Sequence, residues 1–248
     1  MIFIGTVLLE KNRWSTRVPS YKVSAWVKCF KDDGFDGMEL WENHVLMSGA
    51  EEAAAIKNSG FPVRIFNSYA GFDDASRNAR IKVVSFAKAF NVEAVKFNFG
   101  NDARLVDDYI KNLEEMIRLL PNCNLLCECH PGTVMDDINM VCRVNEALGP
   151  NKFQVIIHPF ADLNKTEKWL EKLGPIITHM HLQLRDPKLV RLSKRPSLVK
   201  KSFEVIKKSG YRGSYTIEFT EGVAVPDENI HDLYKNALDD LAFLREII

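Results

Sequence analysis

The sequence predicts a closed (β/α)8 barrel, on three observations. Short apolar runs rich in Val, Ile and Phe alternate with amphipathic stretches of helical period, eight times over. The runs recur every ~25–40 residues, the spacing that a strand–helix–strand crossover needs. The chain has 248 residues, the length of one eight-fold barrel, and reads as a single domain over 1–248.

The first strand run is IFIGTVLL at 2–9, followed by DGMELW at 36–41, PVRIFN at 62–67 and EAVKFNF at 93–99. NLLCEC at 124–129, FQVII at 153–157, ITHMHL at 177–182 and SYTIEF at 214–219 complete the set. The helices between them have readable ends. Ser48-Gly49-Ala50-Glu51 has the pattern of a capping box, and Gly60 suits the far end of that helix. Asp73-Asp74 open the next helix, and a helix from Arg104 to Leu120 stops before Pro121. Thr133 or Asp136 starts the one that ends near Gly149-Pro150. Gly174 and Gly210 close two more, and the last helix runs from about Asp227. The least patterned stretch is DPKLVRLSKR, 186–195. Strict alternation of strand and helix implies a parallel sheet. A doubly wound sheet should carry a glycine-rich phosphate turn after the first strand, and LLEKNRW has none.

Composition narrows the function classes. Hydrophobic residues make up 46% and charged residues 27%, a globular balance. Lys+Arg and Asp+Glu are 33 each, so no basic excess points to nucleic acid or to an anionic membrane. No run reaches the ~20 apolar residues of a membrane span. The opening MIFIGTVLLEKNRW lacks a basic leader and a small-residue cleavage site, so it reads as a strand. Five cysteines, without a CxxC pair, suggest reduced thiols and a cytoplasmic protein.

In a barrel, side chains alternate between the interior and the helix layer, and catalytic groups sit at the carboxyl ends of the strands. That filter selects Glu39, Lys96 with Asn98, Glu128 with His130, His158, His179 with His181, and Glu218. Ionisable groups are costly inside a barrel unless paired or metal-bound, so their concentration at strand ends marks a functional mouth. Cys127 and Cys129 have the opposite parity to Glu128 and should face the helices.

GFDGMELW (34–41), LLCECHPGTV (125–134), ITHMHLQLRD (177–186) and GYRGSYTIEF (210–219) resemble the strand motifs of the xylose isomerase-like barrels. That family includes sugar and sugar-phosphate isomerases and epimerases, inosose dehydratases and apurinic endonucleases. The resemblance implies a divalent metal held by Glu128, His158, His181 and Glu218. At the His158 position relatives usually carry Asp. A two-Glu, two-His set favours Mn, Co, Zn or Fe over Mg. The implied reaction is proton transfer beside a carbonyl of a sugar, sugar acid or sugar phosphate, with Glu128 and Glu218 as acid and base. Glu39, Lys96, His130 and Arg185 would then meet the substrate, and a homo-oligomer is possible. Three other readings stay open: a lyase of the inosose dehydratase type, phosphodiester hydrolysis, and a metal-free barrel that binds without catalysis, with Lys96 as its cationic centre.

Overall fold

The computed structural model describes residues 1–248. Eight parallel strands close into one barrel, and they fall inside the eight apolar runs. The first five are β1 (Ile2–Gly5), β2 (Met38–Trp41), β3 (Val63–Asn67), β4 (Ala94–Phe97) and β5 (Asn124–Glu128). β6 (Gln154–Ile157) and β7 (Ile177–Leu182) follow. A small antiparallel ribbon, β8 (Leu184–Arg185) and β9 (Leu189–Val190), rises from the end of β7. It occupies the stretch that carried no pattern. The eighth barrel strand, β10 (Ser214–Ile217), pairs with β7 on one side and with β1 on the other, which closes the ring.

Helices α1 (Val27–Asp32), α2 (Asn43–Leu46), α3 (Gly49–Asn58), α4 (Arg77–Phe90) and α5 (Val106–Leu119) follow the first four strands. α6 (Ile138–Leu148), α7 (Leu163–Leu173), α8 (Pro196–Lys208) and α9 (Ile230–Ile247) complete the outer layer. No helix is long and apolar enough to cross a membrane.

Several boundaries differ from the sequence reading. The first run is extended only to Gly5, and Thr6–Leu9 coil into a 3-10 turn. There the Thr6 hydroxyl accepts the Trp41 N–H at 2.9 Å, while the Thr6 carbonyl accepts the Tyr21 hydroxyl at 2.7 Å. Ser48 makes no side-chain cap on α3, because its backbone is already helical (φ −92°, ψ −2°) and Gly49 takes the left-handed turn instead. Asp137, not Asp136, caps α6 by accepting the Asn139 N–H. Asn229 caps α9, two residues beyond Asp227.

Strand parity sorts the side chains into two environments. Outward residues such as Ile4, Leu40, Phe66, Val95, Cys127, Val155, Met180 and Ile217 join one continuous apolar core under the helices. Cys127 and Cys129 lie there as buried thiols, raised in pKa by burial. Inward, Phe3, Ile65, Ala94, Leu126 and Ile156 form a separate apolar plug in the lower barrel. Gly213 lets β10 approach β7 closely, since a Cβ there would run into the Thr178 carbonyl oxygen. The next inward position is polar on β3 to β6 (Asn67, Lys96, Glu128 and His158), and these residues build the mouth.

Candidate active site

Above Ala94, Leu126 and Ile156, one strand repeat further on, stand Lys96, Glu128 and His158. His181 and Glu218 complete the ring from β7 and the end of β10. One ligand atom from each of Glu128, His158, His181 and Glu218 lies within 4.8 Å of the others. His158 Nε2 is 2.9 Å from Glu128 Oε1. His181 Nδ1 is 3.4 Å from Glu128 Oε1 and 3.3 Å from Glu218 Oε1. It is buried and has no hydrogen-bond partner. Two carboxylate oxygens thus converge on one imidazole nitrogen, an arrangement that a shared proton or a bound cation would satisfy. Two carboxylates and two imidazoles in this compass suit a borderline divalent metal.

The other nitrogen of His181 fixes its orientation. Nε2 lies 3.0 Å from Glu39 Oε2, so a neutral ring donates from Nε2 and turns the Nδ1 lone pair to the cluster. Glu39 is held in turn by Asn67 Nδ2 at 2.6 Å and by the Thr216 hydroxyl at 2.9 Å. His179 lies lower still, with its ring nitrogens 2.8 Å from the Ser214 and Thr216 hydroxyls. Burial alone would raise the Glu39 carboxyl, but the imidazoles of His181 and His179 outweigh it and hold Glu39 well below the carboxylate range. Burial also opposes a charge on His181, yet Glu39, Glu218 and Glu128 hold its pKa well above the usual imidazole value. Glu39, expected to meet substrate, is 1% exposed and lies beneath His181, with one oxygen turned to that ring.

Lys96 is fully buried. Its Nζ lies 2.7 Å from Glu128 Oε2 and 2.7 Å from Asn98 Oδ1, and Asn98 Nδ2 donates to the same Glu128 oxygen at 2.9 Å. Glu128 therefore divides its oxygens, Oε2 to the ammonium and Oε1 to the imidazoles. Burial would raise Glu128 and lower Lys96, but their mutual attraction wins, so Glu128 lies well below and Lys96 above its ordinary value. Lys96 and a metal need not compete for one oxygen.

His130 stands at the rim, exposed, with Nδ1 2.7 Å from the Pro131 carbonyl oxygen and its ring 6.1 Å from that of His158. Arg185 is exposed on the β8–β9 ribbon and is not among the hydrogen-bonded residues of the cluster. Asp162 caps α7 by accepting the Lys165 N–H, which leaves the β6 position to His158. Sequence reasoning passed over Gln183, whose Nε2 lies 3.0 Å from both His158 Nδ1 and Glu218 Oε2. The signal was available: His179, His181 and Gln183 alternate along one face.

No protein-family model matches this chain. No curated protein matches it either. Solved structures do. One is the probable 3-DHS dehydratase AsbF of Bacillus anthracis, at TM-score 0.72 and 14% identity over 98% of this chain and 99% of that one. Another is the 3-keto-D-glucoside 4-epimerase YcjR of E. coli, at 0.67 and 15%, covering 99% and 98%. A third is a xylose isomerase-like TIM barrel protein of Mycobacterium smegmatis in complex with magnesium, at 0.65 and 12%, covering 99% and 97%. The fold is shared with these (β/α)8 barrels; at these identities the likeness is one of fold.

Proposed function

We propose that this protein is a metal-dependent isomerase or epimerase that moves a proton beside a carbonyl of a carbohydrate substrate. The observation that carries the reading is the convergence of Glu128, His158, His181 and Glu218 on one point, with His181 Nδ1 buried and unpartnered. These four residues would hold a divalent cation, which supplies Lewis acidity to the carbonyl and lowers the pKa of the adjacent C–H. Mn, Co, Zn and Fe suit the two imidazoles better than Mg.

The two carboxylates are not equivalent. Glu128 bears the Lys96 ammonium, which weakens it as a base. Glu218 carries no ammonium and accepts from the neutral amide of Gln183, so the proton abstraction falls to Glu218. Glu39, Asn67 and Thr216 keep His181 in one tautomer and one orientation. His130, at the rim beside His158, would meet a substrate hydroxyl.

A dehydratase shares the same opening proton transfer, and the likeness to a probable dehydratase favours it as the second reading. The test is solvent exchange. Manganese-loaded protein is incubated in D2O with a panel of ketoses, inososes and their acids, and carbon-bound deuterium is read by NMR. Deuterium beside a carbonyl, lost in Glu218→Gln, is expected. A new C=C absorbance would select the dehydratase. Exchange that persists undiminished in Glu218→Gln would contradict the assignment of the base.

A further inference from the structure

The β1–β4 side of the mouth carries a second cation. Arg17, in the loop after β1, stacks on Tyr69, with its guanidinium carbon 4.5 Å from the ring centroid. Lys96 Nζ lies 4.5 Å from the centroid of the same ring. One aromatic ring therefore links Arg17 to the ammonium that pairs with Glu128. Tyr69 is 41% exposed, so this ring lies at the opening.

Arg17 has no protein counter-ion. Its Nε is buried without a hydrogen-bond partner. Glu42, whose carboxyl senses the Arg17 charge, is turned to the Ser68 hydroxyl at 3.0 Å and forms no ion pair with it. The arginines of the β9 segment differ. Arg191 pairs with Glu221 and Asp239, and Arg195 pairs with Asp186. The backbone presents Arg17 at a cost: it takes the left-handed conformation (φ 59°), uncommon for a residue with a side chain. Asn12 O accepts its N–H at 3.0 Å and Asn43 Nδ2 donates to its carbonyl at 2.8 Å, which lock that conformation.

We propose that Arg17 binds a carboxylate of the substrate, which makes the substrate a sugar acid or related polyhydroxy acid. This rests on reading the mouth as a carbohydrate site. A single guanidinium, fixed on an aromatic face, presents the planar fork that a carboxylate fits. Lys96, the other cation on the Tyr69 ring, is already committed to Glu128 and is not free to help balance a phosphate dianion.

The test is calorimetric titration of wild type and Arg17→Gln with three ligand arms. D-Gluconate, D-glucuronate and D-galacturonate are compared with the neutral parent sugars and with the 6-phosphates. Each titration is run on manganese-loaded and on metal-free protein. At least one acid should bind about tenfold or more tighter than its neutral parent, and Arg17→Gln should erase that preference. Arg17→Lys should restore part of it, because charge returns without the fork. A preference for the 6-phosphate, a preference that survives in Arg17→Gln, or no acid favoured over its neutral parent would each overturn the proposal. The metal-free series separates this result from the proposed function: wild type that takes up no manganese defeats the metal reading, while the Arg17 comparison still stands.

Discussion

The two halves of the barrel mouth differ in charge and in how they are held. The β5–β10 half presents carboxylates and imidazoles that converge on one point, and its members lie on the strands or one residue past them. The β1–β4 half presents Lys96, Arg17 and Tyr69, and of these only Lys96 is on a strand. The anionic half is built to concentrate positive charge. The cationic half answers it through the Lys96 ammonium, which pairs with Glu128, and faces outward through Arg17. A ligand with an electron-rich carbonyl end and an anionic end would lie across both. Strands fix positions more tightly than loops, which suits chemistry on one side and recognition on the other.

Breaking the link between the halves should have the largest effect. Lys96→Met leaves Glu128 as a buried charge without its ammonium, and urea unfolding should show a loss of about 3–5 kcal/mol. Arg17→Gln, in a loop and without an ion pair, should stay within about 0.5 kcal/mol of wild type in the same assay. Equal losses in both would erase the distinction. Next in size is Glu39→Gln, which disturbs the partner of His181 from below. Metal affinity should fall by about 10–100-fold while the fold is kept, as read by competition with a chelating dye. An unchanged affinity would mean that Glu39 serves packing alone.

Two buried groups outside the mouth titrate in opposite senses. His44, beside Trp41 and Tyr21, is fully buried, and burial pushes its pKa from 6.5 down to about 3. The unfolded chain binds more protons between those values. Its contribution is therefore full above pH 6.5 and falls with acid, by at most about 1.4 kcal/mol per pH unit. His44→Leu should flatten that decline in a series of denaturant curves. Asp240, on α9, has its carboxyl raised from 3.8 to about 7 by burial, although Thr220 and the Leu192 N–H donate to it. Its folded form prefers the proton, so its contribution is full below pH 3.8 and lost as pH rises through 7. Asp240→Asn should stabilise the protein modestly at pH 8 relative to pH 5. Parallel pH profiles for the two variants would contradict both assignments.

Much of the anionic half was legible in the sequence, because strand parity alone places Glu128, His158 and His181 inward. Parity could also have found Gln183. It could not give height. Glu39 is inward too, but it pairs in register with Gly5 and Ile65, below the ligands. That level is set by the stagger of strands around the closed barrel, which no local pattern encodes. The strand ends were overrun for a related reason: apolar residues such as Val7 and Leu8 continue past β1 into a buried 3-10 turn. Arg17 lay beyond reach altogether, since a loop residue in left-handed backbone has no period to reveal it.

The central claim is that four side chains form a cation site, and titration with Co2+ tests it most directly through the visible spectrum. About one equivalent should bind to wild type with the absorbance of nitrogen and oxygen ligation, and His181→Ala should lose it while its circular dichroism stays that of the folded protein. Wild type that binds no cobalt, or His181→Ala that binds it as tightly, would contradict the account.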